Sequence, residues 1–406
     1  MSNTAIAQDC AVNHPTPQHV LPTLDALIPL SSRARFFSNP ELFGRECLRR
    51  GEHLLPIGDW FSSRQPAVLV TEPQFYSRIL LEEKEQLQSI PFNLQSTLLR
   101  KKLRLLEPEP FQEALLGILA GKGVPAEFLQ EIQAGAAAYL ASYIDHCRCD
   151  ELAKKRFFLD RSELIPEACL SAGIGHLERG HRIFAIDLLS PLIEDLATGF
   201  LARVEGLPGE SPVEGYLKRE LCNACLGLTS NALYILAASP GWQTRCRKEA
   251  KSGEEVSPAG RNGDGRPELD QLMDLVMRSH PVSPLLVRRG VEDLALNGEN
   301  IAAGTLLVLV PALLGDNNRQ RPGNAQSRQN PGDERVSWSQ LKDELFATDV
   351  TRWAVEEFAI PVSRLLLRET LLAAKIGLNS DYAPKRIHLP SSGYADGLPL
   401  LARWRV

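Results

Sequence analysis

The stretch from Glu268 to Pro311 constrains the fold more than any other part of this chain. It opens ELDQLMDLVMRSHP, in which Leu269, Leu272, Met273, Val276 and Met277 recur at the spacing of one buried helical face until Pro281 ends the pattern. SPLLVRRGVEDLALNG follows, short and rich in Val and Leu. Asn297-Gly298 offers a turn, and a third apolar run extends from Ala302 to Val310. The expected product is one helix packed by a single face, followed by a small bent β-sheet.

A chain of 406 residues can bury a large core, as one large domain or two ordinary ones. A net charge of -5 and a pI near 6.0 leave no basic footprint for nucleic acid. No purely apolar run approaches the length of a membrane span, and the N-terminus lacks the basic-then-apolar pattern of a signal peptide. A soluble, cytoplasmic protein is therefore expected. The 8 cysteines do not imply a disulfide framework in a chain this long. His146, Cys147 and Cys149 fit no common zinc spacing and read as a helix-end thiol cluster, so no metal is assigned. Cys222 and Cys225 lie three apart on an apolar helix and are expected to face the same core.

Residues 1–18 are polar and Pro-containing, and read as a flexible N-terminus ahead of a single domain over 19–406. An amphipathic helix is expected in the segment opening PELFGRECLRR, and a strand followed by a helix in PAVLVTEPQFYSRILLEE. Arg100, Lys101, Lys102 and Arg104 form a positive patch that reads as a solvated helix face. FLQEIQAGAAAYLASYIDH is helical, with small residues that permit close helix contact. The apolar run after Arg182 reads as two helices broken at Ser190-Pro191, with Phe184, Leu188, Leu192 and Leu196 filling a core. A long central helix is expected around 217–239. Two Gly/Ser/Asn/Arg-rich inserts, at 250–267 and 315–335, read as exposed or disordered loops because they cannot bury enough apolar surface to offset their ordering.

The order and residues of the Glu268–Pro311 stretch resemble the K-helix and following strands of the cytochrome P450 family. The resemblance extends from about residue 35 to the C-terminus, where Gly397-Leu398-Pro399 and Trp404 keep the look of the family's closing β-hairpin. It implies a mainly α, cytochrome P450-like fold with small β-regions near 60–75, 284–310 and 383–405. By the same resemblance Arg278 holds the helix arginine position and Arg288 the haem-propionate position. Glu292 and Asp293 hold the acidic pair, and Gly304-Thr305 the last element before a strand.

The chemistry of that family is degenerate here. Leu275 stands where the K-helix glutamate belongs, and Asp274, one residue earlier, lies about 100° around the helix. The central helix reads Cys225-Leu226-Gly227-Leu228-Thr229 where the family places Ala-Gly-x-(Asp/Glu)-Thr beside bound oxygen. Thr229 keeps the hydroxyl, but Leu228 cannot relay a proton. WAVEEFAIPVSRLLLRETLLAAK occupies the region of the thiolate loop and L helix, placing Ile360 or Pro361 near the iron-ligand position. Neither can ligate iron, no cysteine follows Cys246, and His388 lies in a C-terminal strand or turn.

The resemblance thus implies a haem-free pseudoenzyme with no cofactor and no monooxygenase activity. The leading expectation is an accessory protein for a partner enzyme of natural-product biosynthesis, such as the P450-like helpers of glycosyltransferases. Its partner surface is expected in the helices before residue 145 and in segment 85–115. The alternatives are a non-redox isomerase, cyclase or lyase with Thr229, Arg288 and Glu292 as candidate catalytic residues, or a binding protein for an apolar small molecule.

Overall fold

A computed structural model describes residues 35–59, 66–90, 125–148, 182–184, 189–204, 212–252, 267–296, 298–315, 341, 344–346, 349–378, 386–387, 393–394, 398 and 400–404. The N-terminal 1–18 segment, the Arg100–Arg104 patch, His388 and most of both inserts lie outside the described residues, as do the side chains of His146, Cys147 and Cys149. Asn39 accepts the Leu42 N–H at 2.9 Å and Pro40 occupies the first turn, which starts helix α1 (Pro40–Arg49). Strands β1 (Leu54–Asp59) and β2 (Pro66–Val70) follow, then α2 (Pro73–Ser77), a π-helical turn over Arg78–Glu82, and β3 (Leu87–Ile90). The middle of the chain supplies α3 (Ala126–Arg148), β4 (Arg182–Phe184), α4 (Ser190–Leu201), α5 (Pro212–Ala238) and α6 (Pro240–Ser252). Next come α7 (Glu268–Ser279) and strands β5 (Leu286–Gly290), β6 (Leu294–Leu296), β7 (Glu299–Ile301) and β8 (Leu306–Leu309). The last part holds α8 (Asp349–Trp353), a second π-helical turn over Ala354–Ala359, α9 (Ile360–Ala373), and strands β9 (Ala374–Leu378), β10 (Arg386–Ile387), β11 (Gly393–Tyr394) and β12 (Leu400–Trp404).

The helix and bent sheet expected from Glu268 onward are present. The apolar stripe of α7 is buried, and His280 follows its last residue. β5 pairs antiparallel with β8, and β6 with β7, through a turn in which Gly298 takes φ +81°. A five-stranded sheet in the order β1-β2-β8-β5-β3 results, with only the β2–β8 pair parallel. Tyr76 fastens it to α2, because its buried hydroxyl donates to Val70 O at 2.9 Å and accepts the Val310 N–H at 2.8 Å.

Beside the sheet lies a helical core in which α5 packs against α4, α7 and α9, and α9 also packs against α3. By length and composition α5 is apolar enough to cross a membrane, although polar residues interrupt its apolar run. Of its most apolar stretch 72% is buried inside the fold, so that apolarity is used against other helices. One expectation fails here: Arg182–Phe184 is the strand β4, not the start of a helix. It pairs antiparallel with β12, Phe184 opposite Leu400, in a sheet ordered β4-β12-β9. Distant pairing overrides the local apolar pattern. Leu196 is buried in the core as expected, with Leu192 packed against it, whereas Leu188 lies outside the described residues. α6 also continues through Ser252, past the expected start of the first insert.

α6 acts as a clasp across the end of α9. Buried Arg247 donates to Leu371 O at 2.8 Å and also to Ala374 O, so a cation meets the carbonyl end of that helix. Its neighbour Gln243 donates to Ile376 O at 2.7 Å and accepts the Ile376 N–H at 3.2 Å. Two residues beyond Arg247, Glu249 of α6 accepts the first N–H groups of α7, from Glu268 and Leu269, where Pro267 supplies no capping side chain.

Replacing Arg247 with Met keeps most of the stem but leaves these carbonyls without their donor, so unfolding should become easier by about 3 kcal/mol, read from urea denaturation. Glu249 gives a pH signature of opposite kind. Burial pushes its carboxyl pKa up, so its contribution to stability is largest at low pH and is lost as pH rises through the raised folded value. Glu249→Gln keeps an acceptor and removes the charge. Its urea midpoint should gain on the wild type as pH rises from 4 to 7, and an unchanged difference would contradict this assignment.

Candidate functional site

The central helix carries polar side chains where no water reaches them, and each must find a partner inside the protein. Thr229, Cys225 and, across the interface, Ser363 of α9 are all 0% exposed. The Thr229 hydroxyl donates to Ser363 Oγ at 2.9 Å, and the Ser363 hydroxyl donates onward to Cys225 O at 3.4 Å. Cys225 Sγ completes the seam at 3.6 Å from Ser363 Oγ and 3.9 Å from Thr229 Oγ1. The next residue along the helix, Ser230, donates to Gly227 O at 3.2 Å.

Burial pushes the Cys225 thiol up to about 12, although hydrogen bonds to Ser363 and Thr229 act in the opposite direction. Burial likewise raises Cys222 to about 11. Both stay protonated at neutral pH, so neither is poised as a thiolate nucleophile or ligand. Cys225 is in the core and Cys222 packs against it, as expected from their spacing.

Ile360 and Pro361 stand within a helix. The chain is helical without a break from Asp349 to Ala373, with the π turn Ala354–Ala359 set between α8 and α9. The Ile360 N–H reaches back five residues to Val355 O, while Pro361 has no N–H to extend the ladder. This wider turn brings residues five apart onto one side. Trp353 and Phe358 accordingly both meet Phe200 of α4, with ring centroids at 5.6 and 5.2 Å. The segment before position 360 is thereby fastened to the helical core.

The other sequence candidates are placed in separate settings. Arg288, 6% exposed on β5, donates to Glu344 O at 3.1 Å and Phe346 O at 3.3 Å, holding the chain that leads toward α8. Arg278 donates to Asp274 O at 3.3 Å within α7, and Asp274 is buried on the same helix. Glu292 is exposed in the bend after β5. Its neighbour Asp293 has a local role, accepting the Ala303 N–H at 2.8 Å. Gly304 takes φ +83° and donates to Gly290 O at 2.8 Å, which closes the same turn. Among the described residues, no group of three or more His, Cys, Asp or Glu side chains is arranged to hold a metal ion.

Ser363 was missed in the sequence because VSRLLLRET gives a lone serine no helical partner to signal burial beside a threonine 134 positions away. Its position bears directly on a haem. In the family that the sequence resembles, the prosthetic group lies between the threonine of the central helix and the ligand loop before the L helix. A flat ring held between two groups needs about 7 Å between them, twice a van der Waals contact. Thr229 and Ser363 are 2.9 Å apart, two residues past Pro361. The residues present do not fit a haem at this position.

No protein-family model and no curated protein matches the chain. Solved structures do. The crystal structure of a cytochrome P450, CYP102L1, superposes with a TM-score of 0.57 at 14% identity, over 91% of this chain and 95% of that one. That of the cytochrome P450DA heme domain gives 0.58 at 14% identity, over 94% and 96%. A mutant of the latter domain gives 0.56 at 15% identity, over 90% and 92%. Helix order, mixed sheet and these superpositions lead to one conclusion: the chain has the mainly α cytochrome P450-like fold, with small sheets at its edge.

Proposed function

We propose that this chain is a haem-free, P450-like accessory protein that stabilises or activates a partner enzyme of natural-product biosynthesis. The observation that carries the reading is the helical state of residues 354–361. A metal-ligating loop must present a donor atom to an open coordination position. Here that place is a helical turn whose Ile360 packs against the core, followed by a proline. Arg288 supports the same reading, since its guanidinium is engaged by backbone carbonyls of the chain's own 344–346 segment.

The non-redox enzyme is the weaker alternative. Thr229 is tied to Ser363, Arg288 holds backbone carbonyls, and Glu292 is exposed, so the three do not form an acid–base set around a common substrate atom. A glycosyltransferase acting on deoxysugar nucleotides is the partner class that the P450-like helpers suggest. Within the expected partner region, α3 offers an exposed face at Glu127, Gln130, Ala134 and Ala137.

Two variants separate a helper from an enzyme. Co-expression with the glycosyltransferase of a neighbouring biosynthetic gene should give co-purification and at least a tenfold rise in transferase activity over the partner alone. Thr229→Val should preserve both, whereas Gln130→Arg combined with Ala134→Arg should abolish both while leaving the circular dichroism spectrum unchanged. Conversion of a small apolar substrate by the isolated chain, lost in Thr229→Val, would instead establish the enzyme.

A further inference from the structure

We infer that Thr229, Ser363 and Cys225 form a built-in closure that takes the place of the prosthetic group, so that the fold is complete without a ligand between its central and last long helices. The inference is independent of whether the chain serves a partner or catalyses a reaction.

A helical protein built around a flat apolar cofactor loses the cofactor's binding energy when that group is absent, because a ligand stabilises the folded state by mass action. It also leaves a void, and the atoms lining a void lose their dispersion contacts. The seam answers both problems with the chain's own atoms. α5 and α9 approach until two hydroxyls meet at 2.9 Å, with the Cys225 sulfur filling the angle between them. Around this polar contact the apolar neighbours Leu228, Ala232, Val362 and Leu366 belong to one continuous buried cluster.

Direction matters in this closure. Thr229 donates to Ser363, and Ser363 donates to the Cys225 carbonyl, so both hydroxyl protons have acceptors without help from water. Thr229 is consumed by the contact that brings the helices together. Its hydroxyl holds a seam where the family's threonine faces an oxygen ligand.

The aromatic stack provides the second half of the device. For a loop to form before position 360, Trp353 and Phe358 would have to leave Phe200, exposing rings that are now buried. The π turn and the seam are four residues apart along the chain, from Ala359 to Ser363, and one holds the other in register. Opening the interface for a planar ligand would therefore cost both the hydroxyl contact and the aromatic packing.

The test uses the full chain in isolation, so a failure to find a partner leaves it untouched. Thr229→Val, Ser363→Ala and the double variant are compared with the wild type by urea denaturation. A seam formed in the ligand-free protein should appear as coupling, the double variant retaining about fivefold more of its folding equilibrium constant than the product of the single effects predicts. The same four proteins are titrated with hemin and followed by absorbance. The wild type should show no saturable, one-to-one Soret change, and binding without saturation counts with that result because it reports no defined site. Independent effects of the two substitutions would overturn the inference, as would stoichiometric hemin binding by the wild type. If one single variant fails to fold, Thr229→Ser and Ser363→Thr, which keep both hydroxyls, replace it in the hemin titration and should likewise give no saturable change.

Discussion

The whole arrangement depends on what a helix buried along most of its length requires of its polar side chains. α5 cannot send Thr229, Ser230 or Asn231 to solvent, since all three are buried in the core. A hydroxyl buried without a partner costs a few kcal/mol, on the order of the margin that separates a folded domain from an unfolded one. The protein answers Thr229 with a serine on the neighbouring helix and Ser230 with a carbonyl of its own helix. α9 meets α5 at that contact, and α6 is in turn fastened to the end of α9 and to β9.

Satisfaction of backbone groups extends the same logic outward. Arg247 serves the carbonyl end of α9, Glu249 the N–H end of α7, and Arg288 the carbonyls of Glu344 and Phe346. All three are charged side chains of the kind that active sites use, yet here each is directed at main chain. That use turns potential chemistry into architecture, because a guanidinium directed at carbonyls is not available to a ligand's carboxylate. The fold of an oxygen-activating family is thus compatible with an interior whose charges serve the chain itself.

Local patterns were legible in the sequence to the extent that one segment decides its own structure. The stripe of α7 and the glycine turn at Gly298 could be read from spacing alone, and the order of elements led through a family resemblance to the right fold. β4 could not be read so, because Arg182–Phe184 becomes a strand only beside β12, more than two hundred residues later. The site was legible in half. Thr229 was visible through the motif it resembles, but Ser363 and the carbonyls that hold Arg288 are partners in space with no periodic signal. Glu292 became a candidate through the acidic pair that the resemblance implies, and its exposure is a property of the bend that follows Gly290.

Pro361 and the π turn before it carry a consequence for how this chain can change length. A π turn holds one residue more than the α-helical path it replaces. Inserting one more residue between Trp353 and Phe358 would set the two rings six positions apart and on different sides of the helix, away from their shared contact with Phe200, whereas deleting one would leave them four apart on one face. Among the descendants of such a sequence, substitutions in this stretch are judged by volume, but insertions and deletions are judged by angle. The number of residues here is as much a part of the packing as their identity.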